Sequence, residues 1–348
     1  MPESKLKIGV IGLGRIGWQF HCEAIAKHRE FELVGVADPL RDRCAEAERA
    51  YHCAAFTDYR QLLKLPGLQV VTIAAPTHLH RPMALAALDR GLHVMLEKPM
   101  AATAAEGAAI LRSAQARGRL LTVYQPQRAA AFFQHLCRLI NAGKIGTVYH
   151  ARQGMFGFAR RNDWQALRKF GGGMLNNYGA HALDLVLQLV GYDVQRVFCQ
   201  LRRVASLGDA DDVVKIVIET KRGLIGETDI NQACAQRLYE LEVIGTTGVI
   251  ILQAGTFHIR YFAKSALKPK RLNASLAAAQ RQYPHEGLPF KEEHIPVNQR
   301  YAVDVYHDLA RAIRTGKKPL VDPREPLAVL RLIEQCRRNA QRIRATPL

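Results

Sequence analysis

Acidic side chains are in short supply. The 348-residue chain has 31 Asp and Glu against 49 Lys and Arg, a net charge of +18. Such a balance favours anionic partners (phosphates, sugar acids, nucleic acid or a membrane surface) and says nothing about fold. Cysteine is sparse and unpatterned. The seven (Cys22, Cys44, Cys53, Cys137, Cys199, Cys234 and Cys336) are odd in number and form no CxxC pair. That argues against a disulfide framework and a zinc site and fits a reducing, cytoplasmic compartment. No run of about 18 apolar residues is present, which excludes a membrane-spanning helix. The opening Met-Pro-Glu-Ser-Lys-Leu-Lys runs into an apolar segment with no small-residue cleavage site, so no secretory signal is expected. Repeats and low-complexity tracts are missing. So are GxSxG, a Cys/His nucleophile pattern, a helix-turn-helix and an aromatic–basic motif. His78-Leu79-His80 lacks a third ligand, and no metal is expected.

What remains is ordinary packed protein: 48% hydrophobic and 23% charged residues, long enough for two domains. Apolar runs at Ile8–Ile11, Leu33–Ala37, Val70–Ala75, Val94–Leu96 and Leu120–Val123 are separated by helix-length stretches. Short Val- and Ile-rich runs spaced by amphipathic helices predict βαβ units and a doubly wound parallel sheet. After Tyr124 the pattern changes to a helix over Phe132–Ala142 and a strand near Val148–Phe158. A helix over Met174–Val190 follows, then strands at Val194–Val204, Asp212–Thr220, Leu224–Asn231, Tyr239–Ile244 and Val249–Gln253. Lys221-Arg222-Gly223 and Gly245-Thr246-Thr247-Gly248 read as hairpin turns, predicting a mostly antiparallel open sheet covered by helices on one face. Asp322-Pro323 with Glu325 predicts the start of a last helix. The expected division is an α/β dinucleotide-binding domain over 1–124 and an α+β substrate and oligomerisation domain over 125–348.

The first motif is Gly12-Leu13-Gly14-Arg15-Ile16-Gly17, directly after one apolar run and before helix-like residues. The first glycine permits a tight turn, the second lets backbone approach a pyrophosphate, and the third lets helix pack on strand. The helix N-terminus then attracts phosphate. Asp38 closes the next apolar run about 20 residues past Gly17, the spacing of an acid that holds the adenosine ribose hydroxyls. A carboxylate there favours NAD over NADP; Arg41 and Arg43 follow closely and an arginine can receive a 2′-phosphate, but the preferred reading of the two is a solvated helix start. Glu97-Lys98-Pro99 closes the run Val94–Leu96, and a lysine at the carboxyl end of a parallel strand points into the ligand crevice.

Taken with Ala75-Pro76-Thr77-His78-Leu79-His80, Gly91-Leu92-His93-Val94-Met95-Leu96-Glu97-Lys98-Pro99, Asp163-Trp164 before Gly171-Gly172-Gly173, Tyr178-Gly179-Ala180-His181-Ala182-Leu183-Asp184 and Gly316-Lys317-Lys318-Pro319-Leu320-Val321, the chain resembles the Gfo/Idh/MocA oxidoreductases. His21, four residues beyond Gly17, belongs to the same resemblance. The resemblance covers nearly the whole chain and implies NAD(P) in the first domain, with a sugar or polyol held against the second domain's sheet. It implies that Glu97 and Lys98 lie by the nicotinamide ribose and substrate, that Pro76, Thr77 and His80 line the cofactor crevice, and that Trp164 belongs to the substrate region. It also implies a cis Lys98-Pro99 bond and a homodimer or homotetramer built on the open face of the second sheet.

The residues point to the same helix independently. Leu183, Val186, Leu187 and Val190 follow core spacing, whereas Asn177, His181 and Asp184 share another face. Hydride transfer from an alcohol requires a proton acceptor, and His181 is the candidate, with Lys98 stabilising developing alkoxide and relaying the proton. The family usually has aspartate where Asn177 stands, and an amide cannot stabilise an imidazolium as a carboxylate does. Three outcomes are open: Lys98 as principal acid/base, an enzyme that chiefly reduces carbonyls, or lost activity. Arg160, Arg161, Arg168 and Lys169, just before the triple glycine, suggest an anionic substrate such as a sugar acid or phosphate. The acid-free basic run through Arg260, Lys264, Lys268, Lys270, Arg271 and Arg281 reads as a solvated loop or subunit contact. The leading function is an NAD(P)-dependent dehydrogenase or reductase of a sugar, polyol or sugar acid. The alternatives are a silent NAD-binding regulatory protein of the same fold and an NAD-dependent glycosidase.

Overall fold

The computed structural model describes residues 4–272, 287–340 and 344–345. The apolar runs become the strands β1 (Leu6–Ile11), β2 (Phe31–Ala37), β4 (Val70–Ile73), β5 (His93–Glu97) and β6 (Leu121–Tyr124), all parallel. A short strand not anticipated from sequence, β3 (Ala54–Phe56), pairs with β2 at one edge. Its three residues are too few to show a period. The order β3-β2-β1-β4-β5-β6 reverses direction between β1 and β4, and the crevice outside the carboxyl ends of these two strands is the ligand position of such sheets. All four residues of β4 are buried, as a strand covered on both faces requires.

Among the described residues the second sheet has nine strands: β7 (Val148–Phe156), β8 (Val194–Arg203), β9 (Val213–Thr220), β10 (Ile225–Asn231), β11 (Leu241–Gly245), β12 (Gly248–Gln253), β13 (Thr256–Tyr261), β14 (Lys291–Pro296) and β15 (Arg344–Ala345). All pairings are antiparallel except β7 with β10 and β8 with β15. The strict alternation of burial along β9 shows one face packed and one open. Both hairpin turns fall where the sequence put them. The basic run read as a loop contains β13 in its first part, because Phe257 and Ile259 are buried in the core while Thr256, His258 and Arg260 point the other way. Arg281 lies outside the described residues.

One helix, Gly179–Val190, sends Leu183, Val186, Leu187 and Val190 into the second sheet's core. The single helix expected over Met174–Val190 is two pieces, Met174–Asn177 and Gly179–Val190. At the joint the N–H of His181 donates to Tyr178 O, three residues back, at 3.0 Å, which tightens that turn.

The last two helices return to the first sheet. In Val305–Thr315, Tyr306, Leu309 and Ala310 pack with β1 and β2 residues. Arg324–Asn339 divides its apolar positions, Leu327 and Leu330 against the first sheet's core and Val329, Leu332, Ile333 and Cys336 against the second's. Asp322 opens it as anticipated, accepting the Arg324 N–H at 3.0 Å. A buried ion cluster fastens this junction. Arg128, 2% exposed, makes a bidentate pair with Asp184 at 2.5 Å for each bond, reaches Glu325, and donates to Tyr192 Oη at 3.0 Å. Removing one partner of such a pair strands a buried charge. Arg128→Met is therefore expected to cost about 3–5 kcal/mol, read as a lowered urea midpoint. An unchanged midpoint would show that Asp184 finds another partner.

Candidate active site

The glycine turn sits at the reversal between β1 and β4. Gly12 has φ +93°, and a Cβ there would lie 2.7 Å from Ala74 O. A Cβ on Gly17 would lie 1.8 Å from Gly12 O, whereas one on Gly14 would meet nothing within 4 Å. Two glycines are thus required by packing, and the third leaves an open cradle before the helical turn that starts at Arg15. The first amides of a helix have no intrahelical acceptor and attract anions. The arrangement fits a dinucleotide pyrophosphate. Arg15 is exposed at that turn, and Ile16 is half-buried beside it.

Asp38 is buried and braces the turn, with Oδ2 accepting the Leu13 N–H at 2.8 Å and Oδ1 the Leu40 N–H at 3.0 Å. Arg43 is not a purely solvated residue, since its Nη1 lies 3.3 Å from Asp38 Oδ2. On the other side of the reversal, exposed Pro76 and half-buried Thr77 begin the short turn Thr77–Leu79. His80, expected to line the crevice, is instead 1% exposed, with Nδ1 3.0 Å from Pro99 O and Nε2 2.9 Å from Ala75 O. Its ring supports the crevice wall from behind.

Lys98 follows β5 directly, and the Lys98–Pro99 bond is cis. Its ammonium crosses to the second sheet's helical layer. There Nζ donates to Asn177 O at 3.1 Å and to Asn177 Oδ1 at 3.2 Å. Asn177 Nδ2 donates in turn to Gln165 Oε1 at 2.9 Å. Met174–Asn177 can start so abruptly because Asp211 takes the Leu175 N–H at 2.8 Å. Asp211 Oδ1 would lie 2.3 Å from any Cβ on Gly173, whose φ is +107°.

His181 shares this space. Its Nδ1 lies 3.0 Å from Gln125 Oε1, and Gln125 Nε2 donates to Ala180 O at 3.2 Å. The amide oxygen can only accept, so Nδ1 carries the proton and Nε2 presents its lone pair. Burial, reinforced by the Lys98 charge, pushes the imidazole down to about 3. Burial also lowers the Lys98 ammonium from its ordinary value, against the opposing pull of Glu97. Near neutral pH the site therefore holds a neutral histidine, and burial weakens the hold of the Lys98 nitrogen on its proton.

Glu97 has both carboxylate oxygens engaged. Oε2 accepts the Lys98 N–H at 3.0 Å, and Oε1 lies 3.0 Å from His21 Nε2. Asp184 belongs to the Arg128 cluster, away from the reacting groups. Trp164 is 57% exposed at the start of the turn that carries Gln165. Arg161 is bound to Asp163, Nε to Oδ1 at 2.9 Å, and this ion pair holds the Asp163 carboxyl below its ordinary value. Sequence reasoning missed Gln125 and Gln165. Gln125 was reachable, since it follows β6 as Lys98 follows β5. Gln165 carried no local signal. No group of three or more His, Cys, Asp or Glu suited to a metal occurs among the described residues, nor any helix long and apolar enough to cross a membrane.

The family model of the oxidoreductase NAD-binding Rossmann fold matches residues 6–125, and that of the Gfo/Idh/MocA C-terminal domain matches 133–251. The chain is 25% identical over 328 residues to an NAD(+) scyllo-inositol 2-dehydrogenase of Bacillus subtilis, covering 92% of this chain and 89% of that protein. It is 28% identical over 189 residues to an NADP(+) scyllo-inositol 2-dehydrogenase of the same organism, spanning about half of each (53% and 52%). A solved NAD-binding protein from Listeria innocua superposes with a TM-score of 0.81 at 25% identity, covering 97% of this chain and 98% of that one. With both models matched in order over most of its length, the chain belongs to the Gfo/Idh/MocA oxidoreductase family.

Proposed function

We propose that the protein is an NAD(P)-dependent dehydrogenase or reductase of a sugar, polyol or sugar acid in which Lys98, rather than His181, is the principal acid/base. The observation that carries this reading is the Lys98 ammonium bound to Asn177 of the second sheet's helical layer, close enough for its charge to act on a tautomer-fixed His181. The glycine turn Gly12–Gly17 and Asp38 would hold the dinucleotide, whose nicotinamide would supply or accept the hydride at the substrate carbon. In reduction, Lys98 hydrogen-bonds the carbonyl oxygen and delivers its proton as that oxygen becomes an alkoxide. In oxidation, neutral Lys98 accepts the hydroxyl proton. The Nε2 lone pair of His181 accepts a hydrogen bond from a substrate hydroxyl and so orients it. A histidine this reluctant to take a proton is a poor base near neutral pH.

Arg160, Arg168 and Lys169 are exposed in the segment that leads to the triple glycine and the Asn177 helix, and they favour an anionic group on the substrate. A panel of polyols, neutral sugars, sugar acids and nucleotide sugars, run with NAD and NADP at the reduced-nicotinamide absorbance, tests the reading. Retained cofactor binding with silence across the panel would favour the regulatory alternative, and neutral polyols outperforming every acid would remove the anionic preference.

Three outcomes are expected with the best substrate. First, oxidation should rise with pH through a single ionisation below the usual lysine value and show no histidine limb near 6.5, while reduction falls through the same ionisation. Lys98→Met should lower kcat by about 10²–10⁴, and a rate within threefold of wild type would sink the assignment. Second, Asn177→Asp puts a carboxylate against Lys98 and offsets the charge that depresses His181. It should raise the His181 pKa in a ¹³C-histidine NMR titration and, by holding the proton on Lys98, slow oxidation near neutral pH, and an unmoved titration with faster oxidation contradicts this. Third, Arg43→Ala exposes the full charge of Asp38 and should weaken NADP about tenfold relative to NAD in fluorescence titrations. Equal effects on both would mean that Arg43 does not face the 2′ position.

A further inference from the structure

We propose that His21 is a positioning residue that straps the Glu97 carboxylate in place and through it fixes the peptide and the charge environment of Lys98. The inference rests on the reading of Lys98 as acid/base and adds a residue that lies outside the reacting groups.

The helix after the glycine turn is not regular. Gly17–Cys22 is π-helical, and the Glu23 N–H donates to Trp18 O, five residues back. A π turn holds one extra residue and rotates the succeeding helical turns by about 100°. His21 lies in this turn, 0% exposed. Its Nε2 is 3.0 Å from Glu97 Oε1, and its Nδ1 is 2.8 Å from Tyr306 Oη. The ring stacks edge-on against Tyr124 at 4.7 Å and Tyr306 at 6.2 Å between centroids.

A carboxylate only accepts, so Nε2 carries the proton toward Glu97. With a neutral imidazole, Nδ1 accepts from the Tyr306 hydroxyl, which burial keeps protonated. The chain therefore runs from the Tyr306 O–H to His21, from the His21 N–H to Glu97 Oε1, and from the Lys98 N–H to Glu97 Oε2. Each polar atom in it has a partner, and it ends on the peptide of the reacting lysine. A core position needs only shape, and a buried polar ring is costly unless satisfied. This ring, carried by the cofactor-side helix, is satisfied by groups from two other segments, β5 and the helix Val305–Thr315.

The consequence is electrostatic. Glu97 is the charge that pulls the Lys98 value upward against desolvation. The titratable groups facing Glu97 are His21, Tyr306, Tyr124, His80 and Lys98, and those facing Lys98 are Glu97 and His181. A carboxylate released by His21 can turn toward the ammonium and hold its proton more tightly.

The test compares His21→Phe, which keeps the volume and removes the donor, with His21→Gln, which keeps an N–H toward Glu97. The readouts are the Lys98 titration by NMR on cofactor-free protein and the pH profile with the best panel substrate. We expect His21→Phe to move the Lys98 ionisation upward by about one pH unit and to lower kcat at neutral pH about tenfold in oxidation. KM for that substrate should change less than threefold, and His21→Gln should restore most of both. If His21→Phe fails to fold, Tyr306→Phe removes only the hydroxyl from the far end of the chain and should move the ionisation in the same direction by less. A folded His21→Phe or Tyr306→Phe with an unmoved Lys98 titration overturns the proposal. A pH limb that survives Lys98→Met would instead overturn the acid/base reading, so the two failures are distinguishable.

Discussion

An ammonium removed from water must be compensated, and the atoms chosen to compensate it decide its chemistry. Lys98 is held by the main-chain and side-chain oxygens of Asn177, two neutral acceptors. These satisfy the donors without supplying the full negative charge that would fix the proton on nitrogen. Glu97 is the nearest carboxylate, and it is turned aside by His21 and the Lys98 peptide. Burial sets the state of His181, and a lysine left positive by neutral partners adds to it by repelling a proton on that ring. The departure from the family's usual aspartate at 177 is therefore more than a missing charge. On the reading proposed above, it moves the proton-handling role from imidazole to amine.

This balance requires that two separately built layers meet to within a hydrogen bond. Lys98 is delivered by a strand end of the first sheet, and Asn177 and His181 by helices on the second. Arg128 joins Asp184, three residues beyond His181, to Glu325 at the start of the last helix. That helix contributes apolar side chains to both cores. A bidentate guanidinium–carboxylate pair specifies orientation as well as distance, which a purely apolar seam would leave free to slide. The C-terminal helix Val305–Thr315 does the corresponding work on the cofactor side, where Tyr306 caps the His21–Glu97 chain.

The readable part of this architecture was the local part. The glycine turn, Asp38, Lys98 and the helix bearing Asn177 and His181 are each encoded within a few residues of themselves, by a strand end, a helix period or a turn. Strand alternation made the antiparallel sheet legible in the same way. The break at Tyr178 was not readable, because it is one tightened hydrogen bond inside a continuous apolar period. His80 was placed in the crevice by its neighbours in sequence, yet its ring turned inward to two carbonyl oxygens. Gln125 and Tyr306 were invisible for a different reason. Gln125 meets His181 and Tyr306 meets His21 across long stretches of chain, and no periodicity spans such distances. Arg43 shows the intermediate case, near enough to Asp38 to be suspected and settled as a partner only by the geometry of the turn.

Asp38 and Glu97 illustrate one further economy. Both are carboxylates at strand ends beside the crevice, where an unpaired negative charge would oppose a dinucleotide. Each is first bound to the protein's own backbone, Asp38 to Leu13 and Leu40 and Glu97 to Lys98. Each also has a basic ring or guanidinium on its outer oxygen, Arg43 in one case and His21 in the other. A carboxylate treated this way keeps its geometry as an acceptor, and at Asp38 the Arg43 guanidinium also offsets part of its long-range repulsion. The site can then receive a polyanionic cofactor at one end and reserve its single weakly held proton for the other.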